Sequence, residues 1–250
     1  KEMTNQLTSI ILAGGKGTRM RANIPKVLHP LGGRPMLEYV IDLANNVGSS
    51  RVIIIIGYQA EKLRDIFSCE GVEFAEQKEQ LGTGHAVLQA EGMMKDFNGD
   101  ILVLSGDVPL LKRETINELI KRHRDTGAAV TLLTVLMNDP TGYGRVVHGE
   151  GNLIKGIVEE VDSTAHEREI TEVNSGTYCF KKDFLFDALH KVDSKNIQGE
   201  YYLTDLVRIA ADNSLPIGAV TGDDPLEIMG VNTIAELAEA ERIIKKEEKR

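Results

Sequence analysis

The chain has 250 residues, 42% of them hydrophobic, and 29 basic against 38 acidic side chains give a net charge of −9. That length and apolar content can bury the core of one α/β domain, while the acidic balance disfavours nucleic-acid binding, which rests on neutralising phosphates with Lys and Arg. No apolar run approaches the roughly 20 residues that span a bilayer, the first 15 residues lack the apolar stretch of a secretory signal, and Cys69 and Cys179 have no metal-ligand spacing, so the thiols read as reduced and the chain as cytoplasmic.

Residues 9–12 are a short apolar run ending in Gly14, Gly15 and Gly17, which reads as a buried strand feeding a glycine-rich loop. Pro35 then opens a helix over residues 36–48, with Met36, Val40, Leu43 and Val47 at helical spacing and proline at the first helical position. Residues 52–56 form a continuous β-branched run closed by Gly57, the pattern of a strand buried on both faces. Residues 60–67 read as helix, 72–75 as strand and 83–94 as helix. Residues 101–104 read as a fourth buried strand ending in Ser105-Gly106-Asp107, and 112–125 as a helix stopped by Gly127. This alternation predicts a Rossmann-like, mostly parallel sheet flanked by helices, with right-handed crossovers. Ligands of such sheets bind beyond the carboxyl ends of the strands. The informative loops are therefore those after Leu12, Ala75 and Leu104.

From residue 128 the texture changes. Residues 130–136, 145–148, 153–159 and 173–180 are strand-like with few helices between them, which predicts an insertion of mixed or antiparallel strands covering the first half's cleft. Residues 201–211 read as helix. From Thr233 onward, Ile234, Leu237, Ala238 and Ile244 share one face of a last helix whose charged end reads as solvated and frayed. No repeat or linker divides the chain, so residues 1–250 are expected to form one domain.

The loop Leu12-Ala-Gly-Gly-Lys-Gly-Thr-Arg-Met20 carries the strongest chemical signal. Glycines after a strand let the backbone approach a ligand, and successive N–H groups can form an anion-binding nest. Lys16, Arg19, Arg21 and Lys26 place four cations in the same stretch, which suits a triphosphate; the bland alternative is an ordinary strand-to-helix turn. A dinucleotide fingerprint would need glycine where Met20 stands, and no Walker A string occurs.

That loop, followed by Pro25-Lys26-Val27-Leu28, resembles the signature of the sugar nucleotidyltransferases, or sugar-nucleotide pyrophosphorylases. The resemblance sharpens with Gln80-Leu-Gly-Thr-Gly-His-Ala86, Gly106-Asp107-Val-Pro-Leu110 and Asp139-Pro-Thr-Gly-Tyr-Gly-Arg145. It continues through Gly156-Ile-Val-Glu159, Asn174-Ser-Gly176, Gln198-Gly-Glu-Tyr-Tyr-Leu-Thr-Asp205 and Gly230-Val-Asn232. Taken together, in order and over nearly the whole chain, these are similar to the N-terminal uridyltransferase domain of the bacterial bifunctional N-acetylglucosamine-1-phosphate uridyltransferases.

The resemblance implies transfer of UMP from UTP to N-acetylglucosamine 1-phosphate with Mg2+ as cofactor. It also implies small-molecule partners only and a place in peptidoglycan and lipopolysaccharide precursor synthesis. It divides the chain into a nucleotide-binding half of about residues 1–127, a sugar-binding half of about 128–232 and a C-terminal helix over 233–250. Leu12, Ala13, Gly14 and Gly15 would lie against the nucleotide, with Lys16, Arg19 and Lys26 as the catalytic cations on its phosphates. Gln77 and Gly82 would read the uracil edge, and Thr83 would sit at the sugar. Ser105, Gly106 and Asp107 would line the nucleotide and metal site. Gly144, Glu159 and Asn174 would contact the acetylated sugar, and Asn232 would join Asp107 on the metal.

The residues themselves leave some of these roles open. Asp107 precedes Val-Pro and could make an Asx turn; Asn232 could cap the last helix; Asn174 could be a turn residue; strand alternation sends only one of Glu159 and Glu160 inward. His85 reads as structural. Two positions depart from the family pattern, Ser105 standing where the best-known members carry Tyr and Ser175 where Thr is usual. The hexapeptide-repeat β-helix that carries acetyltransferase activity and makes the trimer in full-length members is not in these 250 residues, so the sequence leaves the oligomeric state open. A transferase for glucose 1-phosphate or dTTP is the nearest rival. A silent sugar-nucleotide-binding module is disfavoured because Arg19, Lys26 and Asp107 are all present.

Overall fold

Val52 is 3% exposed and Ile53, Ile54, Ile55 and Ile56 are 0% exposed, as a strand covered on both faces requires. The computed structural model, which describes residues 6–17, 20 and 23–247, shows what covers them. In chain order, the first half runs β1 (Gln6–Leu12), β2 (Pro30–Leu31), β3 (Arg34–Pro35), α1 (Met36–Asn46), β4 (Arg51–Ile56), α2 (Ala60–Phe67), β5 (Glu73–Glu76), α3 (Thr83–Leu88), β6 (Gly99–Ser105) and α4 (Arg113–Thr126). Strand β1 lies between β4 and β6, parallel to both, and β5 extends β4 in parallel. Alternate residues face opposite layers. Ile11, Ile54, Ile56, Leu102 and Leu104 pack with α1, α2 and α4, whereas Ile10, Ile53, Ile55, Ile101 and Val103 pack under α3 and later helices.

The second half runs β7 (Val130–Leu136), β8 (Arg145–His148), β9 (Ile154–Val158), β10 (Glu172–Lys181), α5 (Lys182–Leu189), α6 (Asp205–Asp212), β11 (Ile217–Gly222) and α7 (Ile234–Glu247). The expected antiparallel character is present, because β10 runs antiparallel to both β6 and β7. These strands nevertheless continue the same sheet, in the order β11-β7-β10-β6-β1-β4-β5, and β8 and β9 alone hang off it through β10. The insertion is thus a two-stranded extension rather than a separate layer.

Several element boundaries depart from the sequence reading, each for a local reason. Helix α3 stops at Leu88, and a separate 3-10 turn follows over Glu91–Met94. Residues 201–204 precede α6 rather than belonging to it, because their backbone is bound elsewhere: Tyr201 N–H donates to the Leu81 carbonyl, the Tyr201 carbonyl accepts from Gly84 N–H, and Leu203 N–H donates to Thr83 Oγ1. Pro35 sits one position before α1 and pairs with Pro30 across a hairpin turned by Gly32 and Gly33. Helix α5 and strand β11 lie where the sequence pattern predicts no element. Gly127 ends α4 as expected, at φ +59°, where a side chain would be strained. Helix α7 closes over Met20, Leu31, Met36 and Leu110 through Ala240 and Ile244. No described helix is long and apolar enough to cross a membrane, and Cys69 and Cys179 are free, the first exposed and the second buried.

Candidate functional site

Parallel register carries Leu12 of β1 and Ser105 of β6 to the same level at the carboxyl ends of adjacent strands. Gly106 N–H then donates to the Leu12 carbonyl at 2.9 Å, so the chains after β1 and β6 leave the sheet side by side. Two cavities open there. One, of about 330 Å3, is lined by Leu12, Ala13, Gly14 and Gly15 on one wall, by Gln77, Gln80, Gly82, Thr83 and Glu200 on the other, and by Lys26 and Asp107 at one end. The second, of about 220 Å3, is lined by Tyr143, Gly144, Glu159, Asn174, Tyr178 and Thr204 among others. Leu12, Thr83 and Ser105 border both, so the two cavities meet at the ends of β1 and β6.

The first cavity depends on close backbone approach. A Cβ on Gly17, at φ +58°, would lie 2.6 Å from Lys26 Cβ, so glycine is what allows the loop to fold over Lys26. A Cβ on Gly82, at φ +108°, would lie 2.6 Å from the Tyr201 carbonyl oxygen. Gln80 Nε2 donates to the Gly14 carbonyl at 2.7 Å and ties the loop to the opposite wall. Gln77 is buried beside it, with its amide nitrogen committed to the Gly82 carbonyl at 3.0 Å and to His85 Nδ1 at 3.1 Å. Its amide oxygen is left to meet a ligand. His85 is held between Gln77 and Gln89.

Lys26 Nζ is ion-paired with Asp107 and donates to Asn232 Oδ1 at 2.8 Å. Asp107 follows β6, and its carbonyl accepts from Val231 N–H at 2.8 Å, which docks the chain before α7 against the end of β6. The cap of α7 is Thr233, not Asn232. Thr233 Oγ1 accepts from Glu236 N–H, and Glu236 Oε2 accepts from the N–H groups of both Asn232 and Thr233. This capping box leaves the Asn232 side chain to face Lys26. One carboxylate and one amide oxygen thus converge on a single cationic atom, a donor set that suits a magnesium ion sharing its other positions with phosphates and water. No group of three or more His, Cys, Asp or Glu that could hold a metal occurs among the described residues, so phosphates would have to complete the coordination.

The second cavity is built on strand register. Arg145 of β8 pairs with Val158 of β9 and Val173 of β10. One step along that antiparallel register sets Gly144 against Glu159 and Asn174, and Asn174 N–H donates to the Gly144 carbonyl at 2.9 Å. The three residues form one cross-strand row lining the cavity. A Cβ on Gly144 would lie 2.9 Å from Ile157 Cγ2 and 3.4 Å from Glu159 Oε2. Glu159 accepts from Thr204 Oγ1 at 2.9 Å. Burial raises the pKa of its carboxyl, and Asp162, Asp205 and Glu200 push it the same way. Asn174 both turns and lines: its Oδ1 accepts from Gly176 N–H at 3.2 Å, and its Nδ2 donates to the Tyr178 hydroxyl at 2.7 Å.

Not every expected residue lines a cavity. Gly106 lies behind the wall, where a Cβ would meet the Leu12 carbonyl oxygen at 3.1 Å and Leu37 at 3.1 Å. Lys16 is exposed on the loop, and Arg19 and Arg21 fall outside the described residues. Sequence reasoning did not single out Gln80, Tyr143, Tyr178, Glu200 and Thr204. All but Tyr178 stand inside the quoted motifs, but nothing in their spacing says which side chains turn inward.

Residues 8–225 match the nucleotidyl transferase family. The chain belongs to that family. Membership makes it a nucleotidyltransferase enzyme. Similar to it is the bifunctional protein GlmU of Geobacter sulfurreducens, 47% identical over 95% of this chain and 50% of that protein. The bifunctional protein GlmU of Oceanobacillus iheyensis is 46% identical over 95% of this chain and 52% of that protein. The chain thus spans about half the length of these relatives. A solved UDP-glucose pyrophosphorylase in complex with UDP-glucose has the same fold, with a TM-score of 0.77 at 18% identity over 97% of this chain and 99% of that one.

Proposed function

We propose that this nucleotidyltransferase moves the uridylyl group of UTP onto N-acetylglucosamine 1-phosphate, forming UDP-N-acetylglucosamine and pyrophosphate. The observation that carries the reading is the meeting of two unlike cavities at Leu12, Thr83 and Ser105. One has a glycine-rich wall with Lys26 and Asp107, and Asn232 joins that pair through Lys26. The other has polar acceptors and donors on a rigid cross-strand row. Residues 1–127 would supply the nucleotide side and 128–232 the sugar side.

In this reading the backbone of residues 12–15 holds UTP, and the Gln77 amide oxygen and the Gly82 backbone meet the base. Glu159 and Asn174 orient the sugar, with Gly144 leaving room for it. A phosphate oxygen of the sugar 1-phosphate attacks the α-phosphorus of UTP in line. The new phosphorus–oxygen bond forms as the bond to the bridging oxygen of the β-phosphoryl breaks, and pyrophosphate leaves. The nucleophile is already an anion, so no side chain has to remove a proton. Catalysis then rests on positioning and on charge offset by Lys26, with Lys16 and Arg19 on the departing pyrophosphate. Asp107 and Asn232 would hold Mg2+, which supplies further neutralisation of the phosphate charge.

The test is pyrophosphate release by the purified chain with UTP, Mg2+ and N-acetylglucosamine 1-phosphate, beside glucose 1-phosphate and beside dTTP. Release confined to UTP with the N-acetyl sugar and abolished by EDTA is the expected result. Release with another pair moves the substrate, and none with any pair leaves a silent binding module.

A further inference from the structure

Arg145 is 1% exposed, and strand alternation turns it to the face of β8 opposite the Gly144–Glu159–Asn174 row. One terminal nitrogen of its guanidinium donates to the Tyr143 carbonyl, and the other forms a 2.7 Å ion pair with Glu160 Oε2. Glu160 Oε2 also accepts from Gly142 N–H at 3.3 Å. The buried Nε has no hydrogen-bond partner among the described residues, so the guanidinium is held through its two ends. Each end is covalently next to the row: Arg145 follows Gly144 and Glu160 follows Glu159. Gly142 and Tyr143, tied to the pair through their backbone, line the same cavity. The hydrogen bond from Arg145 also holds the Glu160 carboxyl below its usual range.

We propose that the Arg145–Glu160 pair is a positioning device that sets selectivity for the sugar 1-phosphate, by fixing from behind the spacing of Gly144, Glu159 and Asn174. This inference rests on the functional reading above. A buried guanidinium is costly unless paired and hydrogen-bonded, and lysine could not reach a carbonyl and a carboxylate in two fixed directions. None of the residues the pair touches lines the nucleotide cavity. Its effect is therefore confined to the sugar side, which a general role in stability would not produce.

The experiment measures KM for both substrates, with kcat, in Glu160→Gln and Arg145→Lys. Glu160 is the safer position, its side chain being 29% exposed. Glu160→Gln keeps the shape and removes the charge; it should raise KM for N-acetylglucosamine 1-phosphate by about fivefold or more, with KM for UTP and kcat within about twofold. Arg145→Lys should raise the sugar KM further, and both should narrow the preference for the N-acetyl sugar over glucose 1-phosphate. If Arg145→Lys does not fold, Glu160→Gln decides. An unchanged sugar KM, or a matched rise in both KM values, overturns the clamp alone. Failure of the wild type to turn over any sugar 1-phosphate overturns the functional reading and the clamp with it.

Discussion

Lys26 and Asn232 stand 206 positions apart, and Lys26 Nζ donates a 2.8 Å hydrogen bond to Asn232 Oδ1 while also pairing with Asp107. The loop after β1, the end of β6 and the entry to α7 thus share one charged centre. Removing a positioned cation from developing phosphate charge costs about a hundredfold or more in rate. Lys26→Ala should therefore lower kcat by about that factor while the protein still binds UTP. Steady-state kinetics checks this, and an unchanged kcat would take Lys26 away from the reacting phosphates. Asp107→Asn should in the same assay raise the Mg2+ concentration needed for half-maximal rate.

The Thr233–Glu236 capping box links helix stability to that centre, because Glu236 Oε2 holds Asn232 N–H at 2.7 Å and Thr233 N–H at 2.8 Å. Glu236→Ala should destabilise the fold by about 1 kcal/mol, the ordinary worth of such a cap. It should also raise the Mg2+ requirement, because Asn232 loses its anchor. Glu239→Ala, further along α7 and paired with Arg242, is the control. Thermal melts and Mg2+ titrations of the two variants separate the effects; equal Mg2+ curves would sever the link.

Gly144→Ala places a Cβ 2.9 Å from Ile157 Cγ2 and 3.4 Å from Glu159 Oε2. The row must spread, so KM for the sugar 1-phosphate should rise about tenfold or more while UTP affinity holds, the signature of lost sugar-side binding. Calorimetry with UTP and kinetics with the sugar 1-phosphate measure the two sides independently.

Glu159 carries a testable conflict between stability and function. Burial raises its folded pKa, so between the unfolded and the raised folded value the native state binds more protons than the unfolded one. Its contribution to stability is then greatest at low pH and is lost as pH rises through the folded pKa. Glu159→Gln, which cannot ionise, should raise Tm at neutral pH, with the difference from wild type shrinking as pH falls towards the ordinary carboxylate range. The same variant should weaken sugar binding at neutral pH. A Tm difference that stays constant with pH would show that Glu159 is not titrating in this way.

Much of the parallel half of the sheet was legible in the sequence. The β-branched run at residues 52–56 can be stable only as a strand covered on both faces, and alternating strands and helices imply a parallel sheet with its loops at one end. Glycines beside cations marked the loop, because close approach and charge offset are local requirements that spacing displays. Motif order carried Asp107, Glu159 and Asn232 into consideration, but their neighbours in sequence did not assign them.

Tertiary structure decided the rest. Asn232 and Thr233 are both fit to cap a helix; Thr233 takes the cap with Glu236 three residues on, and the fold alone brings the Asn232 side chain to Lys26. Glu159 and Glu160 are chemically alike, and register with Arg145 turns one to the cavity and the other to a buried ion pair. Residues 201–204 have the composition of a helix start, yet their backbone groups are taken by Leu81, Thr83 and Gly84. Local propensity is written along the chain and can be read there, whereas Asn232 meets Lys26 and Leu203 meets Thr83 only once the fold brings together residues more than a hundred positions apart.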